Sequence, residues 1–211
     1  MNRPATKYRV SPNNPCPFLR ALVSEGMLDN TVSTVGDATA AIERVAASGD
    51  GSPSLPGIAI RLIAVLANGL GPGTVLQSAL HGVKLNALRN GPFDKKGAGS
   101  RILNSRGIVS QAQLERLREF ASRKDPAHGS GEIGLDAGEL QLMMDANYSR
   151  AAGHRRLLDR TIMEGEWPIL LDVMGKQGKK GRYLSLKEIR TLFVQRQLPG
   201  RMLKRLGNQG A

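Results

Sequence analysis

One thiol, three imidazoles and a few acids are the side chains with chemical potential in this chain. Cys16 is the only cysteine among 211 residues, and it stands between two prolines in Ser11-Pro12-Asn13-Asn14-Pro15-Cys16-Pro17-Phe18. Pro15 and Pro17 each fix φ, remove a backbone donor and push the preceding residue into extended backbone. Pro17 suits a first helical position. Phe18, Leu19, Leu22 and Val23 recur at helical spacing, and Gly26 is a stop signal. The spacing therefore predicts Cys16 at a helix N-terminus, where free N–H groups and the helix dipole favour an anion and lower a thiol's pKa. A thiolate held so stiffly suits an axial ligand for haem iron. The alternative is a small buried hydrophobe with a structural role. No spacing completes a Cys–His pair with His81, His128 or His154.

Two further stretches carry chemistry. Asp94-Lys95-Lys96-Gly97-Ala98-Gly99-Ser100-Arg101 lies about eighty residues after the cysteine. It could hold an anion, or it could be a solvated turn. Glu164-Gly165-Glu166-Trp167-Pro168 places two acids just before a proline, where a helix is expected to end and side chains can turn into a pocket. Two residues apart on a helix are about 200° apart, so only one of Glu164 and Glu166 can face a given pocket.

Taken together, Pro15-Cys16-Pro17 through Leu28, the Asp94–Arg101 segment and the run from Glu164 through Pro199 resemble the haem-thiolate peroxidases, the family of chloroperoxidase and the unspecific peroxygenases. The resemblance implies Cys16 as axial ligand to haem b, flanked by Pro15 and Pro17. It implies Glu164 as distal acid–base, with Glu166 as substitute, and Arg160, Arg156 or Lys95 as charge stabiliser. Family members hold magnesium against a haem propionate at the segment matching Asp94 to Arg101. Here Lys95 and Lys96 replace the middle residues and Ala98 stands in place of a ligating serine. The expectation is therefore no magnesium, with a lysine ammonium pairing the propionate beside Asp94. Arg20 stands where the family often has asparagine, and Leu157 where some members have arginine. The implied activity is hydrogen peroxide-dependent oxidation or oxygenation of a small organic substrate.

The remaining pattern is helical. Val35, Ala38, Ile42 and Val45 share one face, Gly57–Ala67 is apolar nearly all round, and a helix capped by Thr74 runs to about Leu88 with His81 beside its apolar face. Further helices start at Ser110, Asp136, Ala151 and Ser185, with Met143 and Met144 as core or channel wall and Glu188 three residues after the Ser185 cap. Residues 123–133 and 176–182 read as loops. No alternating strand pattern and no internal repeat stand out. The expected fold is an all-α domain of about eight helices over residues 15–200, with an irregular arm at 1–14 and a poorly ordered basic tail at 201–211.

Lys and Arg number 30 against 18 Asp and Glu, a formal net charge of +12, which favours anionic partners. Aromatic content of 4% argues against base-stacking platforms, and no nucleic-acid-binding signature is present, so nucleic acid is expected to bind only non-specifically. No apolar run is long enough to span a membrane and no signal-peptide pattern opens the chain, so the expected setting is cytoplasmic. The competing reading is a non-enzymatic basic interaction protein with a structural cysteine.

Overall fold

The fold is that of a computed structural model that describes residues 9–50, 81–88, 101–104, 106–126, 130–150 and 159–208, with backbone alone for 159–166. In chain order the elements are α1 (Pro17–Ser24), α2 (Val35–Ala47), a 3₁₀ turn (Leu85–Ala87), α3 (Gln111–Glu115, extended by a 3₁₀ turn to Glu119), β1 (Ser122–Lys124), β2 (Glu132–Asp136), α4 (Ala137–Arg150), α5 (Asp159–Met174), β3 (Lys176–Gly178), β4 (Gly181–Ser185), α6 (Leu186–Arg190, continuing as a π turn Thr191–Gln195) and α7 (Gly200–Asn208). The architecture is mixed α/β, not all-α. A four-stranded antiparallel sheet in the order β1-β2-β4-β3 joins the two halves of the C-terminal region.

The strands escape sequence reading because each is three to five residues long and overlaps a stretch read as a loop, with β2 and β4 running on into positions read as helix starts. Their stability comes from pairing and from one ring. Tyr183 on β4 is buried, and a Cβ added to Gly134 on β2 would meet its Cδ2 at 2.5 Å. Glycine lets the tyrosine lie flat across the strand pair, a close approach that no other residue permits.

The sheet reveals a repeated unit that the sequence pattern does not announce. Helix, hairpin and helix occur twice: α3-β1-β2-α4 and α5-β3-β4-α6. Leu135 pairs with Leu184 at the centre of the β2–β4 register. Around that pair, Asp136 corresponds to Ser185, Glu139 to Glu188, Leu140 to Ile189 and Met143 to Leu192, each 49 positions apart. The apolar members of these pairs are all buried. Between its two strands the first unit has seven residues, 125–131, against Lys179 and Lys180 in the second, and this difference hides the repeat from a fixed-period search.

Other boundaries also move. α2 is capped by Thr34, whose side chain accepts from Asp37 N–H at 3.0 Å, and buries Ala38 and Val45 as its spacing predicts. His81 is exposed rather than packed beside a helix face, because the chain passes directly into a bridge between Val83 and Ser33. The central helix expected at 57–67 lies outside the described residues. α5 runs through Pro168 instead of ending before it. Trp167 there is buried and stacked on Phe193, 6.3 Å between ring centroids, so packing holds a helix that proline alone would end. The tail is not disordered through 208. It forms α7, with Met202 and Leu206 buried and Pro199 accepting the first helical hydrogen bonds. Met143 and Met144 are core residues.

Because Leu135 is fully buried at the seam of the two units, Leu135→Ala is expected to cost about 3 kcal/mol by cavity formation and lost transfer energy. Urea denaturation measures this; a loss under about 1 kcal/mol would show that the units hold together without the central pair.

Candidate functional site

Cys16 sits where its sequence context puts it. It is the N-cap of α1, with extended backbone at φ −80° and ψ 115°, and Pro17 follows at the first helical position. Its N–H donates to Asn14 Oδ1 at 3.1 Å, an Asx turn that fixes the approach to the helix. The side chain is half-buried and packs against the apolar core. Pro15 and Pro17 flank it, half-buried.

The elements that carry Cys16 and the acids expected beside it have different main packing neighbours. α1 packs against the π turn 191–195, whereas α5, which carries Arg160, Glu164 and Glu166 on its backbone, packs against α2, α4 and β4. Glu164 and Glu166 lie within a continuous helix rather than at its end, and Arg160 is in its first turn. Asp94, Lys95, Lys96, Ala98, Ser100, Arg156, Leu157, His128 and His154 lie outside the described residues. Among the described residues no group of three or more His, Cys, Asp or Glu side chains is placed to hold a metal ion, which corrects the expectation of a metal-binding protein as far as those residues go. Cys16 lines neither of the two cavities described.

Two ionic clusters occupy the equivalent ends of the two repeated units. In the first, Asp136 and Glu139 form a reciprocal capping box: Asp136 Oδ1 accepts from Glu139 N–H at 3.1 Å and Glu139 Oε2 from Asp136 N–H at 2.9 Å. Lys124 Nζ lies between them, 2.5 Å from Asp136 Oδ2 and 2.7 Å from Glu139 Oε2, and donates to Ser122 Oγ at 3.0 Å. Burial pulls the ammonium's pKa down, but the hydrogen bonds to Asp136 and Glu139 outweigh it and hold the pKa above the ordinary lysine value. In the second unit Arg201 grips Glu188 through both carboxylate oxygens, at 2.9 and 3.0 Å, and reaches Asp50 at 3.1 Å. Burial opposes its charge, yet Glu188 and Asp50 raise its pKa further.

This placement explains what the repeated units can and cannot bind. In the helix–loop–helix calcium motif a loop of about twelve residues ends on a bidentate glutamate in the exiting helix. Glu139 and Glu188 stand in that place, and the loops pair through β2 and β4. Counted back from Glu188, however, the ligand places fall on Gln177, Lys179 and Gly181, and the place of the motif's glycine on Arg182. Lys124 and Arg201 supply from within the chain the positive charge that an ion would otherwise bring. Sequence reading noticed Ser185 and Glu188 as a cap but missed Asp136 and Glu139. The shared acid spacing, 49 residues apart, was the available signal. Ser185 Oγ in fact donates to Glu132 at 2.6 Å, not to its own helix.

Glu132 is the third charged centre. It receives Lys176 Nζ, Tyr183 Oη at 2.8 Å and the Ser185 hydroxyl. Burial raises its pKa, and these three donors more than reverse that, so the carboxyl lies below its ordinary range. The same carboxylate and burial push the Tyr183 phenol well up.

The larger cavity, about 390 Å³, opens between three segments. One is the N-terminal stretch at Val10 and Pro12. The second is the 106–111 loop, where Asn104 Oδ1 accepts from Arg106 N–H at 2.9 Å and Ile108 N–H at 3.0 Å. The third is the π turn, ending at Arg196 in left-handed backbone with φ 56°. Arg20, 2% exposed, backs the wall and donates to Gly107 O at 3.1 Å and Asn14 O at 3.3 Å. Gly107 has φ 70°, and a Cβ there would meet Arg20 Nη1 at 2.7 Å, so only glycine closes this corner. No acid lines the cavity.

No family model, curated protein or solved structure matches this chain. Among the described residues no helix is long and apolar enough to cross a membrane.

Calcium at millimolar concentration is expected to leave the melting temperature within about 1 °C, because Gln177, Lys179 and Gly181 occupy the second loop's ligand places and Lys124 already pairs with Asp136 and Glu139 at the first. A rise of several degrees would show that a loop takes the ion despite Lys124 and Arg201. Lowered carboxylate pKa values at Glu132, Asp136 and Asp50 set the acid response. A depressed folded pKa gives stability that is present above the ordinary carboxylate range and lost as pH falls through the folded value. Stability is expected to be flat from pH 7 to about 5 and to decline below about 4. Glu132→Gln should make that decline shallower, as read by melting temperature across pH; an unchanged slope would remove Glu132 from the account.

Proposed function

We propose that this chain is a non-enzymatic binding module for an anionic partner. The observation that supports the reading is the arginine-rich cavity: Arg20, Arg106 and Arg196 line it together with apolar side chains, and no acid is among its lining residues. Elsewhere acids are drawn into ion pairs, Asp50 with Arg201 and Arg205, Glu132 with Lys176, Asp136 and Glu139 with Lys124, and Glu115 with Arg190. The net charge of +12 extends the attraction to long range, where it steers encounter more than it sets affinity. Cys16 serves in this reading as a half-buried, core-packed helix start.

Two measurements separate this reading from a haem-thiolate peroxidase and from a nucleic-acid binder. Protein expressed with haem supply is expected to stay colourless. A reduced carbon monoxide complex with a thiolate-type Soret band, abolished in Cys16→Ala, would overturn the proposal and restore peroxide chemistry with Glu164 and Glu166 as the acids to test. Duplex DNA is expected to bind weakly and without sequence preference, with the complex lost by about 0.15 M salt. A sequence-specific complex that survives that salt would replace the cavity by a nucleic-acid surface.

A further inference from the structure

We propose that the cavity takes a small carboxylic acid with an apolar body, its carboxylate held at the mouth by Arg106 and Arg196. The proposal rests on the anion-binding reading and names its ligand class. Both arginines line the cavity and both are solvent-exposed. Planar guanidinium groups match a carboxylate's two oxygens and carry a charge that neutral solutes do not use. Arg20 adds a third positive charge from behind the wall, fixed by two backbone carbonyls.

The apolar requirement comes from the rim. Ile108 is 57% exposed and Val194 40% exposed, and both of these large hydrophobic side chains line the same cavity. Phe193 and Val10, both buried, line the interior. The volume falls in the lower part of the range for small-molecule sites, roughly 300–1,000 Å³. A multiply charged phosphate ester would leave this apolar rim uncovered; a short-chain acid such as acetate would too.

Backbone geometry points to the same place. The π turn Thr191–Gln195 replaces a regular helix end, and Arg196 follows in left-handed backbone, which a residue with a long side chain rarely adopts. That strain sets Val194 and Arg196 on the same cavity. Across the opening, the Asn104 turn sets Arg106 and Ile108 on the other side of Gly107 in an equivalent cation–apolar pair. Two such pairs, built from segments distant in sequence, define a charged mouth over an apolar interior.

Titration calorimetry of the full chain at about 0.15 M salt, with octanoate, acetate, 1-octanol and inorganic phosphate as probes, tests the assignment. Octanoate is expected to bind saturably and at least about tenfold more tightly than acetate or 1-octanol, because only it satisfies both halves of the site. Arg106→Gln and Arg196→Gln should each weaken octanoate about five- to tenfold with an unchanged melting temperature. Ile108→Ser should weaken octanoate while leaving acetate alone. Equal binding of 1-octanol and octanoate would overturn the role of the arginines. Phosphate or an acidic peptide binding through Arg196 while octanoate does not would overturn the ligand class and leave the anion-binding reading in place. If no anionic probe binds, both fall.

Discussion

The contact between Leu135 and Leu184 is the constraint on which the described fold turns. Each is fully buried, and together they are the central pair in the register of two strands only five residues long. Neither hairpin could stand alone in water, since an isolated two-stranded hairpin is marginal at best. Joined through this pair they become one four-stranded sheet with helices packed against it, and the apolar faces of α4 and α6 close over the seam through Leu140, Met143, Ile189 and Leu192.

Charge is arranged around that seam so that the carboxylates of β2 and of the helices that follow the hairpins meet cations of the same chain. Lys124, Lys176 and Arg201 each come from another segment than the acid they bind. Half-buried carboxylates without such partners would shift toward protonation or draw in an ion. Arg201 has a second consequence: it ties α7 to Glu188 of α6 and to Asp50 after α2, while Arg205 adds hydrogen bonds to Ser48 O and Gly49 O. The basic tail thus becomes a structural clasp, with its charge spent on internal acids rather than on solvent.

The cavity lies away from this network, between Val10–Pro12, the 106–111 loop and the π turn. Its arginines face no acid among the lining residues, so the same excess of basic residues has two fates in one molecule. Where an acid is near, a basic side chain supports the fold. Where apolar groups surround it, as at Arg106 and Arg196, it remains available to a ligand.

Local information was enough for several elements. Two prolines around Cys16 dictate an extended residue followed by a helix, and the apolar face of α2 follows from residue spacing alone. Those features depend on interactions within about four residues, which a sequence displays directly. The sheet, the continuation of α5 through Pro168, the ordering of α7 and the cavity depend on partners far along the chain. Gly134 lies under the Tyr183 ring, Trp167 stacks on Phe193, and Arg106 and Arg196, ninety residues apart, line one cavity. A haem-thiolate site was legible as a pattern of residue types, yet the packing of Cys16 against the core and of α1 and α5 against different neighbours belongs to the tertiary structure alone. Spacing states which groups a chain possesses, and burial and long-range pairing decide which of them meet.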